Sequence, residues 1–77
     1  MNSKIEKRIG QNIRKLRKSA NLTQEFVATY FQLHGCDITR SALAKIEVGQ
    51  RHLYLDEIIL LKNVLNVSYE DIFNIED

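Results

Sequence analysis

Two short stretches of this chain hold side chains suited to chemistry. In the first, His34, Cys36 and Asp37 stand close together, and a thiol beside an imidazole is the raw material of a nucleophile. A chain of 77 residues has little room to surround a substrate, and neither a glycine-rich phosphate loop nor a catalytic pair of carboxylates accompanies the thiol. The stretch reads as a turn that ends a helix, and no enzyme activity is expected. Cys36 is the single cysteine, so an internal disulfide is excluded. Without a ladder of His and Cys at zinc spacing, neither a metal site nor a cofactor is expected.

The second stretch runs Ile38-Thr39-Arg40-Ser41-Ala42-Leu43-Ala44-Lys45-Ile46-Glu47 and closes on Gly49. Leu43 and Ile46, three apart, fall on one side of a helix, while Arg40, Ser41, Ala44 and Lys45 spread over the other. An apolar pair that anchors one face leaves the opposite face free to enter a groove. B-DNA's major groove admits one α-helix, and side chains near that helix's N-terminus meet base edges. Arg40 is the first candidate for reading a base, because its guanidinium can bond O6 and N7 of guanine together, worth about 1 to 3 kcal/mol of discrimination. A phosphate contact is the equal alternative for Arg40. Thr39 is placed to cap the helix and bond a phosphate, and Ser41 and Lys45 lie on or beside the same face. Ala44 either touches a thymine methyl or is a plain helix-forming surface residue. Gln24 stands at the start of the preceding helix, where free backbone N–H groups and the helix dipole favour a phosphate. Gln50, Arg51 and His52 follow the anchored helix as backbone clamps or as an ordinary solvated loop.

Five helices are needed to position these residues. Ile5, Ile9, Ile13 and Leu16 recur at helical spacing, which predicts a first helix over Ile5 to Ser19 with Asn2 or Ser3 as its cap and Asn21 as its end. Thr23 caps a second helix whose inward stripe is Val27, Ala28 and Phe31, and Gly35 ends it. Small Ala28 lets the second and third helices approach closely at a steep angle. The third helix begins after Thr39 or slightly earlier, and Gly49 supplies the positive φ that terminates it. A fourth is expected from Asp56 to Leu65, carrying Ile58, Ile59, Leu61 and Leu65, with Asp56 and Glu57 at the positive end of its dipole and Asn66 as its stop. Ser68 caps a last turn over Tyr69 to Phe73, which sends Ile72 and Phe73 to the core.

Composition agrees with an all-α domain: 44% of residues are apolar and 27% charged, proline is absent and glycine occurs three times. No repeat, low-complexity tract or linker interrupts the chain, so residues 1–77 are read as a single domain. The N-terminal stretch has no apolar leader core and no segment is apolar over a bilayer's thickness, so a cytoplasmic protein without membrane contact is expected. Net charge is only +1, but it is unevenly spread. Residues 1–20 hold seven basic side chains against Glu6, and residues 56–77 hold six acids against Lys62. Such a dipolar chain presents a basic face to phosphate while its acidic end points away, unless both ends are simply solvated helix faces.

Taken in order, Ile9-Gly10, Ile13-Arg14, Leu16-Arg17, Leu22-Thr23-Gln24-Glu25, Ile46-Glu47 with Gly49, then Leu55, Ile58, Leu61, Leu65 and Val67-Ser68 resemble the Cro and phage-repressor type of helix-turn-helix, the XRE family. The resemblance spans nearly the whole chain. It implies a five-helix, lambda-repressor-like DNA-binding domain whose helix-turn-helix is formed by helices 2 and 3. One departure is a longer connection between Ala28 and Ile38, which implies that helix 2 runs an extra turn. The resemblance further implies that Gln24 holds a phosphate and that Arg17 and Glu47 form a partly buried structural ion pair.

The function so implied is sequence-specific binding of double-stranded DNA by a small transcriptional regulator, most simply a repressor. It would act as a homodimer with recognition helices about 34 Å apart. Leu60, Tyr54 and Ile75 are apolar candidates for a dimer patch, or scattered surface residues. A protein-interaction module, such as an antitoxin or adaptor, is the competing expectation, and the weak net charge and acidic tail favour it.

Overall fold

The computed structural model describes residues 3–76 and contains, in chain order, α1 (Ser3–Ser19), α2 (Gln24–Leu33), α3 (Arg40–Glu47), α4 (Leu55–Leu65) and α5 (Tyr69–Phe73). Ser3 lies inside α1, so it is not the cap; Asn2 lies outside the described residues. Of the later helices, α2, α3 and α5 are capped by the side chains that their sequences offer. Thr23 Oγ1 accepts from Phe26 N–H at 3.0 Å and Thr39 Oγ1 from Ala42 N–H at 3.1 Å. Ser68 and Asp71 exchange two such bonds across the start of α5, a reciprocal box that satisfies two otherwise orphan donors.

The stops follow from backbone conformation. Asn21 and Asn66 adopt φ of 59° and 55°, and Gly35 and Gly49 adopt 76° and 79°, the left-handed region that these two residue types tolerate best. α2 runs ten residues from Gln24 to Leu33, and Gly35 reverses the chain just beyond it.

Side chains from all five helices and from the α2 to α3 connection meet in one core: Ile13 of α1, Val27 and Phe31 of α2, Ile38, Leu43 and Ile46 around α3, Leu61 and Leu65 of α4, and Ile72 of α5. Each such side chain contributes about 1.5 to 3 kcal/mol by leaving water. One expectation needs correction. Phe73 is 40% exposed and its ring stacks on Tyr69 with centroids 6.5 Å apart, outside the core. A five-residue helix presents one narrow face inward, and Ile72 occupies it. Ile59 is likewise half exposed, on the outer side of α4, while Leu61 and Leu65 turn inward.

α1 is the spine against which α3, α4 and α5 pack, and α2 packs on α3 and α4. Gly10 makes the α1 to α3 crossing possible. A β-carbon there would meet the carbonyl oxygen of Ile46 and stand 2.8 Å from that of Glu47. The end of α3 therefore rests directly on the α1 backbone. Two residues further along α1, Asn12 Nδ2 donates to the carbonyls of Ile72 (3.0 Å) and Asn74 (2.7 Å), which fastens the C-terminal end of α5 to the spine.

Candidate DNA-binding surface

Burial sorts the residues of α3 into two faces. Leu43 is fully buried and Ile46 is 2% exposed, whereas Thr39, Arg40, Ser41 and Lys45 all face solvent and Ala44 is half-buried. The apolar pair thus holds a helix whose basic and hydroxyl-bearing side is bare. Arg40, at its first turn, projects from the positive end of the helix. Thr39 has both roles available to it structurally: its hydroxyl oxygen caps the helix by accepting from Ala42 N–H, and its hydroxyl hydrogen remains a donor.

A buried network fixes the angle at which α3 stands. Arg17 Nε donates to Glu47 Oε2 at 2.7 Å and Arg17 Nη2 to Glu47 Oε1 at 3.1 Å. These two residues are 8% and 3% exposed. Arg17 Nη1 also donates to the carbonyl of Leu22 at 2.8 Å, so the fork engages α1, the turn before α2 and the end of α3 together. Gln24 Nε2 donates to Glu47 Oε1 at 3.1 Å. Gln24, expected at a phosphate, is therefore also the link between the start of α2 and the end of α3. It is only partly buried, and a second amide hydrogen and its backbone N–H remain for a ligand.

The residues after α3 are engaged within the protein. Arg51 forms a bidentate pair with Glu57, Nη1 to Oε1 at 2.8 Å and Nη2 to Oε2 at 3.1 Å, and Nη1 also donates to the His52 carbonyl at 2.8 Å. The hydrogen bond to Glu57 holds the guanidinium pKa above its usual value. His52 Nδ1 lies 2.7 Å from Glu6 Oε1, tying the loop to α1. Glu57 itself is 4% exposed and accepts from the Tyr54 backbone N–H at 3.0 Å. Sequence reasoning assigned Glu57 only to the helix dipole; its pairing with Arg51 six residues earlier crosses a loop, and no helical spacing announces it. Gln50 is exposed.

Between the C-terminal half of α1 and the N-termini of α2 and α3 lies an open concavity lined by Arg14, Lys18, Thr23, Gln24, Glu25 and Arg40, among others. Arg14 and Lys18 come to it from a helix that the sequence reading treated as a general basic face. The i, i+4 spacing of these two was the available signal, and their proximity to Arg40 was not visible in it.

The His34, Cys36 and Asp37 stretch forms the turn after α2. Burial pushes the Cys36 thiol pKa up, and the negative charges of Glu57 and Asp56 raise it further, the reverse of what activates a nucleophilic thiol. His34 Nδ1 sits 2.8 Å from the Tyr30 carbonyl, with its ring stacked on that of Tyr30. Among the described residues no group of three or more His, Cys, Asp or Glu side chains could hold a metal ion, and no helix is long and apolar enough to cross a membrane.

Comparison with known proteins places this geometry. A family model described as helix-turn-helix matches residues 13–72, a span that runs from the spine helix to α5. The control protein C.BamHI of Bacillus amyloliquefaciens is 33% identical over 75 residues, covering 96% of this chain and 86% of that protein. The crystal structure of the restriction-modification controller protein C.AhdI from Aeromonas hydrophila superposes with a TM-score of 0.80 at 28% identity, covering 92% of this chain and 96% of that one. With both its sequence and its five-helix frame matched over nearly their full extent, the chain belongs to the helix-turn-helix family.

Proposed function

We propose that this protein is a transcriptional regulator that binds duplex DNA sequence-specifically by laying α3 in the major groove. The observation that carries the reading is the division of α3: Leu43 and Ile46 are sealed in the core while Arg40, Ser41 and Lys45 are left to solvent. Arg40 and Ser41 stand on that exposed side in the first turn, the end that meets base edges, and Lys45 follows in the last turn.

In this reading Arg40 is the base reader and Lys45 and Ser41 support it along the groove. Thr39 and Gln24 bond phosphates at the starts of α3 and α2, and Ala44 allows close approach to a thymine methyl. Gln50 lies at the edge of the same surface. Arg51 and His52 act chiefly by holding the loop that follows α3, since both face carboxylates of this protein. The likeness to C.AhdI, a restriction-modification controller protein, supports a regulatory role of that kind, and family architecture supports a homodimer on an inverted repeat. Residues 1–77 serve as the one DNA-binding unit in this proposal.

The test is selection of binding sites from a random duplex pool by the wild type and by Arg40→Ala in parallel. Loss of base preference at one position in each half-site, with the rest of the motif retained, is the expected result. An unchanged motif bound more weakly reassigns Arg40 to phosphate, and absence of any enriched motif from the wild type refutes sequence-specific binding.

A further inference from the structure

The groove-facing cations identified so far are few. Arg51 is balanced by Glu57 and His52 faces Glu6, which leaves Arg40 and Lys45 as the unpaired cations of that set. Even with both counted as displacing condensed counterions from the groove as fully as phosphate-paired cations do, they give a log–log salt slope of only about −1.8 per protomer. The concavity beside α3 holds two more. Arg14 and Lys18 are one turn apart on α1, exposed, and line the same hollow as Gln24 and Arg40. Among the described residues neither makes an ion pair, and the one acid on the lining is Glu25.

We propose that Arg14 and Lys18 are phosphate-binding residues of this protein, clamping the DNA backbone that flanks the groove occupied by α3. This deepens, and rests on, the DNA-binding reading. The shape supports it: the hollow is open to solvent and bounded by the positive ends of α2 and α3, so a backbone crossing it meets two helix dipoles and the cations of Arg14 and Lys18, with Arg40 beside it to enter the groove. Its floor includes Arg17, whose charge is consumed by Glu47. Floor and rim thus have separate jobs, the floor fixing the helices and the rim meeting the ligand.

The experiment measures affinity for a duplex carrying the selected site across about 50 to 200 mM salt, for wild type, the double variant Arg14→Gln/Lys18→Gln, and Lys62→Gln. Lys62 sits over the Tyr69 ring, away from this hollow. Wild type and Lys62→Gln are expected to lose about 150-fold per protomer over that range, a slope near −3.6, and the double variant about 12-fold, a slope near −1.8. The base preference selected by the double variant should be unchanged, because phosphate contacts carry no sequence information. A double variant with the wild-type salt slope overturns the clamp while leaving the DNA-binding reading intact. A lowered melting temperature in the double variant with the wild-type slope would assign the two cations to the α1 dipole instead, and overturns it too. Failure of the wild type to bind any duplex at 50 mM salt overturns both readings together.

Discussion

Replacing Glu47 by alanine should remove much of this protein's stability margin without deleting any side chain proposed to contact DNA. Glu47 is 3% exposed and is the shared acceptor for Arg17 Nε, Arg17 Nη2 and Gln24 Nε2. Truncation leaves Arg17, a residue 8% exposed, with the Leu22 carbonyl as the remaining partner of its guanidinium. Stranding one partner of a buried pair costs about 3 to 5 kcal/mol. A chain of 77 residues at about 0.05 to 0.15 kcal/mol per residue has roughly 4 to 12 kcal/mol in all. The variant should therefore melt at least about 12 °C lower, taking about 4 °C per kcal/mol for a domain of this size. Thermal and urea unfolding followed by far-ultraviolet circular dichroism measure this directly. The companion double variant Arg17→Met/Glu47→Leu removes both charges and fills similar volume, so it should recover most of the loss. An alanine variant within about 1 kcal/mol of wild type would refute the reasoning, because it would show a pair as weak as an exposed surface bridge. The same measurement guards the DNA experiments: weaker binding by a Glu47 variant reports a displaced α3 until folding has been shown.

Gly10→Ala places a methyl group against the Ile46 and Glu47 carbonyls, and the resulting shift of α3 should cost about 1 to 3 kcal/mol of stability, read as a lower urea midpoint. DNA affinity should fall with it even though residue 10 lies beneath the recognition helix. Cys36 should alkylate with iodoacetamide more slowly at pH 8 than a free thiol, with its rate climbing at higher pH, because its folded pKa is raised by burial and by Glu57 and Asp56. The sign for stability follows from the same shift. Below the unfolded thiol pKa of about 8.5 the group is neutral in both states, and as pH rises past it the unfolded chain releases the proton first, so stability falls. Cys36→Ala should flatten that alkaline decline, and an unaltered decline would trace it to another group.

The order of helices, their caps and their stops were set by local chemistry, and local chemistry is written in sequence. Thr23, Thr39 and Ser68 each bond a backbone N–H three residues ahead, while Asn21, Asn66, Gly35 and Gly49 take left-handed turns. Helical periodicity also named Leu43 and Ile46 as the buried side of α3, and hence which of its side chains remain bare. Where more than one apolar side chain competed for a face, periodicity was not enough: Ile72 entered the core and the adjacent Phe73 stayed out.

Contacts between distant segments were decided by the tertiary structure alone. Nothing local to Gly10 says that α3 will end on it, and nothing near Arg51 says that its charge will be spent on Glu57. The hollow that unites Arg14 and Lys18 with Arg40 exists because three helices cross at angles held by the Arg17 and Glu47 pair, so its charge is a property of their arrangement. Sequence thus determined which groups this protein has to offer DNA. Packing decided which of them are neutralised, which are free, and which face the same way.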